Sequence, residues 1–266
     1  MVFQFYKYQG AGNDFILIDN RQKLFPENNT QLYNKLCDRR FGIGADGIML
    51  LENIDGYDFK MVYFNSDGNE SSMCGNGGRC LVRFAEELNI SKNECRFLAV
   101  DGPHYAKISE QTITLEMINV DGYKTHGGDI SLQTGSPHYI KWVNDVYSLD
   151  VYNSGRSIRY NDEFKAQGIN VNFLEWKDNA LHVRTYERGV EDETLSCGTG
   201  VTAAAMAYAI KENMNGDIKV PIITKGGKLE VHFHKANDKF TKVFLIGPAV
   251  KVFEGNINIE ISSDSN

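Results

Sequence analysis

Apolar positions along this chain fall mainly into short runs that alternate with polar ones or are dense in β-branched and aromatic residues. Seven such runs predict strands: Phe15–Asp19, Gly47–Leu51, Phe59–Phe64, Thr112–Met117, Leu181–Thr185, Lys228–Phe233 and Lys242–Ile246. Clusters of Gly, Asn and Asp separate them, as turns require. Three stretches break this period. From about Gly77 to Leu88, the residues Leu81, Phe84, Ala85 and Leu88 recur at helical spacing. From about Gly200 to Glu212 a second helix is predicted, and Val201–Ile210 is small or apolar all round. A helix with no polar face is buried on every side, which in a strand-rich chain implies a curled sheet closed around it. A shorter helix is expected at Gln31–Cys37.

The pattern also repeats. Asn69-Glu-Ser-Ser-Met-Cys-Gly-Asn-Gly-Gly78 resembles Asp192-Glu-Thr-Leu-Ser-Cys-Gly-Thr-Gly-Val201. Each runs into one of the two long helices. A weaker echo links Gly12-Asn-Asp-Phe-Ile16 to Gly135-Ser-Pro-His-Tyr139, in the same order. Duplication follows: an α+β fold of two pseudo-symmetric domains, each a curled, barrel-like mixed sheet around a central helix. The halfway boundary falls near Val120–Lys124. We therefore expect a first domain over 1–121, joined by the C-terminal run 255–266, and a second over 122–254.

Composition narrows the classes. With 266 residues and 42% hydrophobic positions, the chain suits one large domain or two of middling size, with enough apolar residues for a packed core. A net charge of −7 argues against a nucleic-acid binder, which would carry a basic face. No apolar run approaches the roughly 20 residues of a membrane span, and Met1–Gly10 lacks a secretory pattern. A cytoplasmic setting is expected. Five widely spaced cysteines, Cys37, Cys74, Cys80, Cys95 and Cys197, fit reduced thiols better than a disulfide framework. No metal is expected: the CxxC and HxxxH spacings are missing, and His232 and His234 read as one face of a strand.

The repeated Cys-Gly-x-Gly is where chemistry enters. The first turn of a helix has backbone N–H groups with no internal partner, and these favour an anion. A cysteine placed there has its thiolate stabilised, and the same N–H groups can hold a carboxylate. A lone Cys-Gly is most often packing, since free cysteine behaves as a small hydrophobe; two copies in one pattern are harder to explain that way. Cys37, Cys80 and Cys95 lack the turn and read as packing residues. Two such thiols suit inversion of a stereocentre, one removing a proton from one face of a carbon while the other returns a proton to the opposite face. Glu70 and Glu193, each four residues before a cysteine, read as partners of helix-start N–H groups.

At these residues the chain resembles the diaminopimelate epimerases. The likeness rests on Gly10-Ala-Gly-Asn-Asp-Phe15, Asn65-Ser-Asp-Gly-Asn-Glu-Ser-Ser-Met-Cys-Gly-Asn-Gly-Gly-Arg79 and Glu187-Arg-Gly-Val-Glu-Asp-Glu-Thr-Leu-Ser-Cys-Gly-Thr-Gly200. It extends to Phe41-Gly-Ile-Gly-Ala-Asp-Gly47 and Gly168-Ile-Asn-Val-Asn-Phe173. The resemblance implies conversion of LL-diaminopimelate to the meso form, in lysine and peptidoglycan synthesis, without a cofactor. It implies that Cys74 and Cys197 are the acid–base pair. It implies that Asn13, Asn65, Gly75, Asn76, Asn170, Glu187, Arg188, Gly198 and Thr199 bind substrate, with His138 and Ser136 in support. Ser136 departs from the asparagine that the family often carries there, and Gly47 from the glutamine of some members. A homodimer is a further implication. On the residues alone, Asn13 and Asn65 also read as turn formers, and Glu187–Arg188 as a surface ion pair. Two other activities stay open at this point. A proline racemase shares the two-thiol logic, and a cysteine hydrolase could pair one thiol with His138.

Overall fold

The computed structural model describes residues 1–27, 29–71 and 73–259. The chain divides into two compact units, Met1–Ile113 with the segment from Ala249, and Thr114–Pro248. The sequence expectation placed the divisions at 121/122 and 254/255. The expected C-terminal run 255–266 is described only as far as Ile259.

The first unit contains β1 (Val2–Gly10), β2 (Asn13–Asp19), α1 (Thr30–Cys37), β3 (Gly47–Glu52), β4 (Phe59–Asn65), α2 (Gly75–Glu87), β5 (Glu94–Ala99) and β6 (Gly102–Ile108). A two-residue turn, Ala11-Gly12, joins β1 to β2 with both φ angles positive, at 52° and 83°. That geometry matches the twist of a tight hairpin and sets Asn13 at the head of β2, opposite Gly10. β2 runs parallel to β3, and β3 antiparallel to β4, so Gly47 faces Asn65.

β2 and β3 are almost wholly buried because helices cover both faces. Ile16, Ile18, Ile48 and Leu50 meet Tyr33, Leu36 and Cys37 of α1. The alternate residues Phe15 and Met49 turn to α2, where a side chain on Gly77 would strike them.

β7 (Ile113–Glu116) starts at the last residue of the stretch Met1–Ile113 and runs into the second unit, which goes on with β8 (Val120–Asp121) and β9 (Lys124–His126). There follow β10 (Asp129–Gln133), β11 (Pro137–Trp142), α3 (Val151–Arg159), β12 (Asn170–Lys177), β13 (Ala180–Glu187) and β14 (Asp192–Thr194). It continues with α4 (Gly198–Lys211), β15 (Gly216–Thr224), β16 (Gly227–Ala236) and β17 (Lys239–Gly247). Its pairings repeat those of the first unit. β10–β11 is an antiparallel hairpin, β11–β12 is parallel across α3, β12–β13 antiparallel, and β13–β15 parallel across α4. In the first unit the same sequence reads β1–β2, β2–β3 across α1, β3–β4, and β4–β5 across α2. Finally β18 (Val250–Asn258) returns to pair antiparallel with β1.

α4 is buried over Val201–Ala207 and at Ala209. It lies against strands of the second unit from β10 to β17, so the inference from its lack of a polar face holds. α3 has no counterpart in the sequence reading. Its Ser, Gly, Asn and Arg residues carry almost no apolar stripe. It is held instead by Asp150, whose side chain caps the Asn153 N–H at 3.0 Å, and by Val151 packed into a cluster with Val171, Phe173 and Tyr186. His232 and His234 do alternate outward along β16, while Val231 and Phe233 are buried.

Candidate active site

Each long helix begins two residues earlier than its apolar spacing suggests, so Cys74 and Cys197 are themselves the cap residues of α2 and α4. Both have extended backbones, with φ and ψ of −101° and 123° at Cys74 and −117° and 114° at Cys197. The Cys74 carbonyl accepts from the Gly78 N–H at 2.7 Å, and the Cys197 carbonyl from Val201 at 2.9 Å. Gly75 and Gly198 are the first residue of each helix, and Asn76 and Thr199 the second.

Around Cys74 the first unit gathers a polar group. The thiol donates to Asn13 Oδ1 at 3.5 Å, and Asn76 Nδ2 donates to the same oxygen at 3.4 Å. Asn13 Nδ2 in turn donates to Asp46 Oδ2 at 2.5 Å. Asp46 and Asp14 share Arg39, at 2.8 Å and 2.6 Å, and Lys7 reaches Asp14 at 2.6 Å. Burial pushes the Asp14 carboxyl up, but the hydrogen bonds from Arg39 and Lys7 outweigh it and bring the pKa to about 2. Asn65 ends β4 half-buried, and among the described residues its side chain makes no hydrogen bond. It stands beside a tight turn in which its backbone carbonyl accepts from the Gly68 N–H.

Beneath the start of α2 lies Arg79, wholly buried. Its guanidinium donates to Asn76 Oδ1 at 2.9 Å and to the Gly75 carbonyl at 3.3 Å, while Nε has no partner. Burial lowers its pKa to about 10.

The second unit builds an equivalent group from different residues. Cys197 Sγ lies 3.5 Å from Thr199 Oγ1, and that hydroxyl lies 2.8 Å from His138 Nε2. His138 is fully buried, and burial, with the Arg188 charge acting in the same direction, holds its pKa down at about 3. Its Nδ1 faces Asn172 Nδ2 at 3.1 Å; Asn172 also donates to the Tyr139 carbonyl at 3.2 Å and accepts from Thr185 Oγ1 at 2.8 Å.

Asn170 spends every polar atom inside the unit. Nδ2 donates to Ser136 Oγ at 2.8 Å and to the Pro137 carbonyl at 3.0 Å, and Oδ1 accepts from the Arg188 N–H at 2.8 Å. Ser136 therefore has a partner in Asn170. Glu187 accepts from Thr194 Oγ1 at 2.8 Å. Arg188 is exposed, donates to the Gln167 carbonyl at 3.1 Å, and forms no ion pair among the described residues, so no Glu187–Arg188 surface pair exists. Glu193 differs from expectation too: it binds Arg184 at 2.6 Å and Lys225 at 2.7 Å, away from any helix start.

The other three thiols are packing residues in geometry as well as in sequence. Cys37, Cys80 and Cys95 are buried, and burial pushes each pKa up to about 12. No cluster of His, Cys, Asp and Glu among the described residues could hold a metal ion, and no helix there is long and apolar enough to cross a membrane.

Four supporting residues went unread in the sequence: Asp46, Arg79, Asn172 and Thr185. Two signals were available. Arg79 is a charge at a helix position flanked by apolar residues, and Asn170 and Asn172, two apart on a strand, share one face.

Comparison with known proteins gives the family and the fold. The family profile for diaminopimelate epimerase matches residues 5–122 and 130–252. A diaminopimelate epimerase of Flavobacterium psychrophilum is 54% identical over 254 residues, covering 95% of this chain and 99% of that protein. One from Aquifex aeolicus is 38% identical over 97% of this chain and 99% of its own length. Among solved structures, a PhzF-family phenazine biosynthesis protein of Bacillus anthracis superposes with a TM-score of 0.76 at 14% identity, covering 97% of this chain and 100% of that one. A hydroxyproline epimerase of Agrobacterium vitis reaches 0.68 at 12% identity, covering 96% and 92%. These two share the fold.

Proposed function

The chain belongs to the diaminopimelate epimerase family, and from that premise we propose that it interconverts LL- and meso-diaminopimelate by passing a proton through Cys74 and Cys197. It is an isomerase of the racemase and epimerase type. The observation that carries the mechanism is the matched pair of caps: each cysteine closes the start of a buried helix, next to N–H groups that can receive a carboxylate.

The chemistry follows. The α-hydrogen of an amino acid is weakly acidic, so its removal needs stabilisation of the carbanion. Donors aimed at the adjacent carboxylate provide it, and the N–H groups of Gly75 and Asn76 at the start of α2 and of Gly198 and Thr199 at the start of α4 support that role. One thiolate takes the hydrogen from one face, and the other thiol delivers its own proton to the opposite face. The first cysteine ends as the thiol and the second as the thiolate, so the reverse reaction uses the same pair with roles exchanged. Asn13 and Asn65 orient the ammonium end. Arg188, exposed and without an ion-pair partner among the described residues, suits a distal carboxylate, which it can grip through two N–H groups. Glu187 accepts from an ammonium. Asn170 shapes this region through its bonds to Ser136 and the Arg188 backbone.

The same reading covers the setting. A cytoplasmic location keeps both thiols reduced, and the exposed Val250, Val252 and Phe253 on β18 offer an apolar surface to a second copy in a homodimer.

The test is turnover of LL-diaminopimelate in deuterated water. Early product should carry solvent deuterium at the inverted carbon while recovered substrate keeps its protium, because a different thiol delivers the proton. Product that retains the substrate's own hydrogen at that carbon would contradict the scheme. L-Proline, assayed alongside, should not react. Cys74→Ala and Cys197→Ala should each lose epimerisation, since positioned acid–base groups contribute about 10²–10⁴-fold apiece; full turnover in either variant would refute the pair.

A further inference from the structure

The two cysteines share a backbone setting but face opposite kinds of hydrogen-bonding atom. We infer that Cys197 rests as the thiolate and Cys74 as the thiol, each state fixed by a directed chain of hydrogen bonds within its own unit. The inference rests on the acid–base reading above and adds to it which partner starts as the base, and which residues decide.

In the second unit the direction can be followed from groups that have no choice. A backbone carbonyl only accepts, so the Asn172 atom 3.2 Å from the Tyr139 oxygen is the amide nitrogen. Its other hydrogen points at His138 Nδ1, 3.1 Å away, which must then be the bare ring nitrogen. Thr185 donates to Asn172 Oδ1 at 2.8 Å and holds that amide in place. Burial keeps His138 neutral, so its single proton sits on Nε2 and is donated to Thr199 Oγ1 at 2.8 Å. Thr199 receives that hydrogen and has its own to give, and Cys197 Sγ is 3.5 Å from the oxygen. The chain ends in a donor aimed at sulfur, which favours the charged form.

In the first unit the logic reverses. Asp46 only accepts, so Asn13 turns its nitrogen to that carboxylate and its carbonyl oxygen to Cys74. A carbonyl oxygen stabilises S–H and repels a thiolate. The charged groups near Cys74 include Arg79 on its own helix and, behind Asn13, Asp46 and Asp14 with their partners Arg39 and Lys7. Arg79 draws toward the thiolate, but its terminal N–H groups are directed to Gly75 and Asn76, and the Asp46 charge opposes it. Around the second chain stand Arg188, which acts on His138, and Glu187, held by Thr194; Glu193 is neutralised by Arg184 and Lys225. Asn172 and Thr185 are thus positioning residues: they set the His138 tautomer that aims Thr199.

The experiment is alkylation of the intact free protein by iodoacetamide across a pH series, with each cysteine followed by peptide mass spectrometry. The midpoint of each rate profile reports thiolate formation independently of access. Cys197 should show a midpoint at least about one unit below that of Cys74, a tenfold difference in thiolate fraction at pH values below both. Equal midpoints, or a lower one at Cys74, would overturn the assignment. Thr199→Val should raise the Cys197 midpoint and leave that of Cys74 in place; no shift would break the chain at its last link. Nitrogen-15 spectra of the unaltered protein should show His138 neutral with its proton on Nε2, and a proton on Nδ1 would overturn the chain at its centre. These readings need no turnover. Reversed midpoints would sink this inference and leave the two-base scheme standing, whereas an active Cys74→Ala or Cys197→Ala would sink the scheme and leave the order of midpoints intact.

Discussion

A thiol's usefulness here depends on what its neighbours can give or take. Cys80 sits six residues from Cys74 and is entirely buried, with its pKa pushed to about 12, so it stays protonated and inert at neutral pH. Cys80→Ala should keep turnover and cost about 1–2 kcal/mol in chemical denaturation, the loss of one small buried group; a folded but inactive variant would contradict its packing role. Asp14 makes the opposite kind of contribution. Its folded pKa of about 2 lies below the unfolded value near 3.9, so its stabilisation is complete above pH 5 and fades as pH falls through 4 toward 2. The carboxyl is mostly buried, and the shift corresponds to about 2 kcal/mol. Asp14→Asn should flatten the acid side of the stability profile by that amount, as read from urea unfolding at pH 3 to 6. The cysteines were legible from the sequence because a motif repeated. Asn172 and Asp46 were not, since an asparagine in an alternating strand or an aspartate after Gly-Ala looks solvated until the fold buries it or aims it.

At the scale of single elements, the second glycine of each Cys-Gly-x-Gly turn has a packing role. A Cβ on Gly200 would come within 2.5 Å of Asn172 Oδ1 and 3.3 Å of His138, and one on Gly77 would meet the end of the Met49 side chain. These glycines let a helix lie directly on a strand. The difference between the two neighbours makes a prediction. Met49 ends in a flexible methyl that can swing away, so Gly77→Ala should cost about 1 kcal/mol. Asn172 is pinned by Thr185 and Tyr139, so Gly200→Ala should cost up to about 3 kcal/mol and also lower kcat, because it displaces the amide that orients His138. Thermal melts and steady-state rates of both variants check the ranking. Elements were legible where apolar residues recur at a regular period, as in α2, or run together without a polar face, as in α4 and β2. α3 escaped notice because its stability comes from the Asp150 cap and from a few contacts to β12 and β13, which no local window contains.

For the molecule as a whole, the repeated motif foretold a repeated topology: hairpin, parallel crossing over a helix, antiparallel partner, parallel crossing over the cysteine helix, in each half. Helix and strand periods show that the chain builds curled sheets around helices, but pairings between distant segments leave no local trace. The pairing of β18 with β1 is the extreme case. Gly255 lies opposite Phe5, whose ring covers it, and Phe253 packs edge-on to the same ring at 6.0 Å. The amino group of Met1 donates to the Ile259 carbonyl at 2.7 Å. A chain cut before Ala249 should leave β1 with a bare edge and associate through it, which light scattering would register as aggregates.

That pairing also sets a timetable for synthesis. A ribosome releases β1 well before β18, and the strand that covers it emerges only after all of Thr114–Pro248 has left the exit tunnel. The nascent first half must therefore wait with an open flank while the second half, continuous in sequence, has everything it needs to settle. Chaperone engagement in a growing cell should accordingly concentrate on the amino-terminal half and end when the last strand arrives.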